Sequence, residues 1–83
     1  MQIKVRYRAG LAALTKISDE SITAGNVKDV LEHVKKQFGR EAEKLAKTML
    51  IVVNGHSILM QKHFKTVLKD GDEVSFLPIC GGG

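Results

Sequence analysis

The sequence predicts an α+β fold, one mixed β-sheet with a main helix packed across one face. Three observations carry this. Apolar and charged residues alternate over residues 2–8, the period of a strand with one buried face. Residues 26–38 carry a single apolar stripe at helical spacing. Apolar, β-branched runs then recur between the turn signals Asn54-Gly55 and Lys69-Asp70-Gly71-Asp72. One stripe on one helix calls for one sheet face to cover it.

Ile3, Val5 and Tyr7 set the inner face of the first strand, with Lys4, Arg6 and Arg8 facing out. Ala9-Gly10 breaks it, and residues 11–16 read as a partly turned connection with Leu11 and Leu14 tucked under the sheet. Residues 17–22 read as a second strand, interrupted by Ser18, Asp19 and Glu20. Asn26 is a helix N-cap, with Asp29 placed to favour the positive end. Val27, Val30, Leu31, Val34 and Phe38 make the stripe, and Gly39 ends the helix as a left-handed residue. Residues 40–47 are helix-prone, as a turn or two or as an ordered loop.

Residues 49–53 form a continuous apolar run, the pattern of a strand covered on both faces. Asn54-Gly55 turns the chain into a short return strand over 56–59. Residues 60–68 connect onward, with Phe64, Val67 and Leu68 capping one end of the core. Residues 73–79 form the last strand. Residues 1–79 are then one domain, followed by a flexible glycine tail at 80–83.

A chain of 83 residues holds one small domain with a thin core. No stretch approaches the roughly 20 apolar residues of a membrane span. The N-terminus lacks an apolar signal core, and the single Cys80 fits a reducing compartment, so a cytoplasmic location is expected. The net charge of +4 is scattered among acids, and Tyr7, Phe38, Phe64 and Phe76 are the whole aromatic set. No clustered basic face or stacking ladder points to direct nucleic-acid binding.

Self-contained chemistry is missing. His33, His56 and His63 lack a regular ligand spacing and Cys80 stands alone, so no metal set is expected. Asp70, Asp72 and Glu73 sit in a turn, where turn chemistry accounts for them. Ser57 and Ser75 have nothing to orient a base.

The ending, Leu77-Pro78-Ile79-Cys80-Gly81-Gly82-Gly83, carries the functional reading. Three glycines gain no packing when ordered, so frayed terminus is the bland account. The other account makes them the working part. A carboxylate is a poor electrophile, and joining it to AMP supplies a leaving group. A side chain would clash in a narrow channel leading to an ATP site, whereas glycine backbone passes through. Four residues reach roughly 13 Å when extended, enough to cross such a channel.

The sequence resembles the β-grasp sulfur carriers, most of all the small subunits of molybdopterin synthase. The residues that carry the likeness are the I-K-V-R-Y-R strand, N-V-K-D-V-L-E-H-V, V-V-N-G and D-G-D-E-V-S-F-L-P-I-C-G-G-G. The resemblance implies a ubiquitin-like β-grasp, with the first and last strands parallel at the sheet centre. It implies that a ubiquitin-activating-type adenylyltransferase uses ATP to adenylate the carboxylate of Gly83, while this chain binds no cofactor itself. Sulfur from a persulfide donor then gives a thiocarboxylate, which the large subunit of molybdopterin synthase receives in molybdenum or tungsten cofactor synthesis. Gly82 and Gly83 match the terminal diglycine, and Gly81 completes the tail. Phe76, Leu77, Pro78, Ile79 and Cys80 are the candidate partner-binding residues. Gly81, Cys80 and Ile79 depart from the usual family residues, which bears on partner choice. Cys80 is read as a contact beside the tail rather than a relay thiol.

The same activated glycine serves a ubiquitin-like modifier joined to lysines, or a sulfur carrier for tRNA thiolation or thiamine synthesis. A plain interaction domain is the third class.

Overall fold

Alternation at the start of the chain becomes a strand with one dry face. A computed structural model describes residues 1–79; β1 (Gln2–Tyr7) fully buries Ile3, Val5 and Tyr7. It is followed by α1 (Ala9–Thr15), β2 (Asp19–Thr23), α2 (Val27–Phe38), α3 (Arg40–Thr48), β3 (Leu50–Val53), β4 (His56–Ser57) and β5 (Glu73–Leu77). Two short 3-10 turns, Ile58–Met60 and His63–Lys65, lie between β4 and β5.

The five strands form one mixed sheet in the order β2-β1-β5-β3-β4. β1 and β5 are parallel neighbours at the centre, with Val5 opposite Val74 and Tyr7 opposite Phe76. The other pairings are antiparallel. This is the arrangement that the sequence resemblance implies.

The inner face carries Ile3, Val5, Tyr7, Ile22, Ile51, Val53, Val74 and Phe76, in one core with Val27, Val30, Leu31 and Val34 of α2. Asn26 caps α2 by accepting the Asp29 amide hydrogen at 2.8 Å, and the Asp29 carboxylate accepts the Gly25 amide at 2.9 Å. The Asn26 oxygen thus satisfies a backbone donor that the first turn leaves open, and the Asp29 carboxylate ties the helix start to the residue before the cap. Gly39 ends α2 at φ +99°, a region glycine enters without steric penalty.

Several expectations are corrected. Residues 11–16 are more than a partly turned connection, since residues 11–15 belong to the helix α1. Gly10 does not break the structure there but lies within α1, where a Cβ would stand 3.3 Å from the end of the Leu45 side chain. Leu11 is buried and Leu14 is exposed. The second strand starts at Asp19 rather than Ile17. Of the two readings of residues 40–47, the helical one holds: they belong to α3, which seats Ala42 and Ala46 in the core.

β3 is covered on one face only. Ile51 and Val53 are buried, while Leu50 and Val52 are half-buried on the outer face. The return strand stops after two residues because Ser57 caps a 3-10 turn, accepting the Leu59 amide at 3.1 Å. Of the three residues expected to cap the core, Leu68 does so; Phe64 and Val67 are exposed.

Candidate functional site

The last strand starts from a clamp. At the start of β5, Asp70 Oδ1 accepts the Gln2 amide at 2.8 Å and the Gly71 amide donates to the Gln2 carbonyl at 2.8 Å. Asp72 Oδ2 accepts the Lys69 amide at 2.8 Å, and its Oδ1 accepts from Asn54 Nδ2 at 2.9 Å. The Asn54 side-chain oxygen accepts the Glu73 amide at 2.9 Å. Asn54 and Gly55 take φ of +51° and +85°, as a type I′ hairpin turn requires. The Asp-Gly-Asp-Glu run therefore ties β5 to β1 and to the β3–β4 turn. Hydrogen bonds from the Lys69 amide, then from Asn54, hold the Asp72 carboxyl below its ordinary value.

The far end of β5 leaves the sheet. Val74 and Phe76 are fully buried between β1 and β3. Pairing ends with Leu77 opposite Leu50. The last strand was expected to run to Ile79; Pro78 has no amide hydrogen to extend the ladder. Pro78 and Ile79 are exposed, Ile79 at 69%.

The predicted partner-binding residues therefore divide. Leu77, half-buried on the outer face, joins Leu50 and Val52 as an apolar strip, and Pro78 and Ile79 extend it. Phe76 does not belong with them. It points inward and stacks on Tyr7 at a ring separation of 6.0 Å, so its role is to anchor the strand. Cys80, Gly81, Gly82 and Gly83 lie outside the described residues.

One polar group escaped the sequence reading. Tyr7, Glu20 and His33 meet on the inner side of the sheet, with Glu20 Oε2 accepting from the Tyr7 hydroxyl at 2.6 Å and lying 2.9 Å from His33 Nε2. Burial first, then hydrogen bonding to Glu20 and its charge, raises the Tyr7 hydroxyl well above the ordinary tyrosine value. The available signal was Glu20 two residues from Ile22, an inward position for a charged residue. Among the described residues no three His, Cys, Asp or Glu side chains are grouped to hold a metal ion. No helix among them is long and apolar enough to cross a membrane.

Comparison with known proteins places this architecture. Residues 5–83 match the model of the ThiS family. No curated protein sequence matches the chain. Among solved structures, the chain is similar to small archaeal modifier protein 1 from Methanosarcina acetivorans, with a TM-score of 0.84 and 25% identity over 99% of this chain and 96% of that one. It is similar to a chain in the complex of subunits 1 and 2 of the molybdopterin-converting factor from Helicobacter pylori, with a TM-score of 0.73 and 28% identity over 100% of both chains. The molybdopterin converting factor subunit 1 described as putative from Pyrococcus furiosus gives a TM-score of 0.72 and 26% identity over 94% of this chain and 97% of that one. With residues 5–83 matched by that family's model, the chain belongs to the ThiS family of ubiquitin-like β-grasp sulfur carriers and modifiers.

Proposed function

We propose that this chain carries sulfur on the carboxylate of Gly83 for molybdopterin synthesis, as the small subunit of a molybdopterin synthase. A ubiquitin-activating-type adenylyltransferase joins the carboxylate to AMP from ATP and releases pyrophosphate. The terminal sulfur of a persulfide donor attacks the acyl carbon and AMP leaves. A second thiol on the donor breaks the sulfur–sulfur bond, forming a disulfide and freeing the thiocarboxylate. The large subunit then takes the tail, and the sulfur enters the pterin precursor.

The observation that carries this reading is the exit from β5. A central strand held on both sides stops at Leu77, and Pro78 and Ile79 stand exposed just before Gly81, Gly82 and Gly83. The 28% identity to a chain of the two-subunit Helicobacter complex supports a large-subunit partner. Gly81 and Gly82 serve as side-chain-free backbone for the channel, and Leu77, Pro78, Ile79 and Cys80 as the adjoining contact.

A second reading, conjugation of Gly83 to lysines, is favoured by the likeness to small archaeal modifier protein 1 over 99% of the chain. Intact mass after incubation with the activating enzyme, ATP and a persulfide donor separates the two. Replacement of one oxygen by sulfur at Gly83 is expected for the carrier; ladders of larger adducts in cells with no thiocarboxylate would overturn it.

A further inference from the structure

Asn54 holds β5 through both ends of its side-chain amide. Its Nδ2 donates to Asp72 Oδ1 and its oxygen accepts the Glu73 amide, each at 2.9 Å. Its own backbone amide donates to the Glu73 carbonyl at 2.8 Å. Gly55 is exposed, and a Cβ on it would meet nothing within 4 Å. Among the described residues no hydrogen bond engages the Gly55 amide.

This dipeptide has a chemistry of its own. Asparagine is among the chemically labile side chains, and a following glycine leaves the attacking nitrogen unshielded. Solvent hydroxide takes the Gly55 amide proton, and the nitrogen attacks Asn54 Cγ. The bond from Cγ to Nδ2 breaks, and ammonia leaves with a proton from water. Water then opens the succinimide at either carbonyl. The product is aspartate, or isoaspartate with an extra methylene in the main chain. In sum one water is consumed and one ammonia released, with no change of oxidation state.

The fold decides when this happens. The attack needs the Asn54 amide to turn away from β5 and on to the Gly55 nitrogen. Both side-chain hydrogen bonds oppose that turn. They break when β5 and the β3–β4 hairpin part at this end, a local opening that leaves the core in place. Closing again is then blocked. A carboxylate at position 54 cannot donate to Asp72 Oδ1, and it sets a second negative charge against it. Isoaspartate also lengthens a two-residue turn whose geometry fixes the register of its strands.

We propose that Asn54-Gly55 is a modification site whose reagent is water, shut while the Asn54 amide grips Asp72 and Glu73 and open when β5 lets go. The product keeps β5 from being gripped again. The marked strand is the one that leads to residues 80–83, so modified copies lose the fixed start of that strand.

The test is incubation of the purified full chain in mildly alkaline buffer, native and in urea. Deamidation is read by peptide mass spectrometry and isoaspartate by enzymatic methyl transfer. The native chain is expected to react at least 10-fold or so more slowly than the unfolded chain, on the order of the protection that local closure gives. Asp72→Ala, which removes one of the two bonds, speeds the native reaction roughly 3–10-fold and leaves the unfolded rate unchanged. Ile22→Val, a buried change in β2 of similar cost to the whole fold, stays within about two-fold of wild type. Equal rates in native and unfolded wild type overturn the proposal. So does an Asp72→Ala rate equal to that of wild type, or one matched by Ile22→Val. The isoaspartate fraction purified from aged chain is expected to exchange amide hydrogens in residues 50–53 and 73–77 roughly 10-fold faster than fresh chain. Unchanged exchange there overturns the failure to grip again. None of these readouts depends on whether Gly83 carries sulfur.

Discussion

The Tyr7 hydroxyl donates a hydrogen bond of 2.6 Å to Glu20 Oε2, joining the first strand to its antiparallel neighbour. His33 Nε2 reaches the same oxygen from α2 at 2.9 Å. Phe38 meets both rings edge-on, at 5.7 Å from Tyr7 and 6.2 Å from His33. An inward glutamate is therefore satisfied by two partners, as a half-buried charge beside a core needs.

Tyr7 is the only tyrosine, so its ionisation can be read directly. Its folded pKa is raised above the unfolded value of about 10. The stability it contributes is full below about pH 10 and declines as pH rises beyond it. Tyrosinate absorbance is expected to appear only together with loss of circular dichroism on alkaline titration. Ionisation near pH 10 with the fold intact would refute the burial and Glu20 contact.

Asp72 gives the opposite slope. Its folded pKa is lowered, so its contribution is present above the unfolded value of about 4 and is lost as pH falls through the folded one. Asp72→Ala is expected to remove about 1 kcal/mol near neutral pH, from two lost hydrogen bonds. The gap to wild type narrows in acid. Urea denaturation near pH 7 and near pH 3 measures both.

Leu11 tests the docking of α1. It is fully buried in the core, and Leu11→Ala should cost about 3 kcal/mol through a cavity. That lowers Tm by roughly 10–20 °C for a domain of this size. Leu14→Ala, on the exposed side, should change stability by about 0.5 kcal/mol or less. Equal effects at both positions would show α1 seated differently.

Deleting Gly83 is expected to abolish sulfur exchange in the mass assay while leaving Tm nearly unchanged, because strand pairing ends at Leu77. A large fall in Tm would mean that the fold extends past Ile79.

What was legible in the sequence followed from strong local signals. Alternation at Ile3, Val5 and Tyr7, the capped stripe from Asn26 and the Asn54-Gly55 turn each point to one structure. α1 was missed because Ala9-Gly10 reads as a breaker. What holds α1 is tertiary, the burial of Leu11 in the core. The second strand was blurred by Glu20, whose partners Tyr7 and His33 lie 13 residues away on either side. β3 looked doubly covered because Leu50 and Val52 are as apolar as Ile51 and Val53, and composition does not say that one face stays half-open. Residues 80–83 lie outside the described residues, and the cleft beside the end of β5 was not legible: Leu59, Phe64 and Ile79 converge there only through the fold.

The central parallel pair joins residues 4–7 to residues 73–76. A nascent chain on the ribosome has no partner for the middle of its sheet until Phe76 has emerged. Closing so long a loop is slow, and β1 waits with one edge bare. The centre of the sheet thus depends on residues more than sixty positions apart, and a chain cut before Phe76 has no partner for the inner edge of β1.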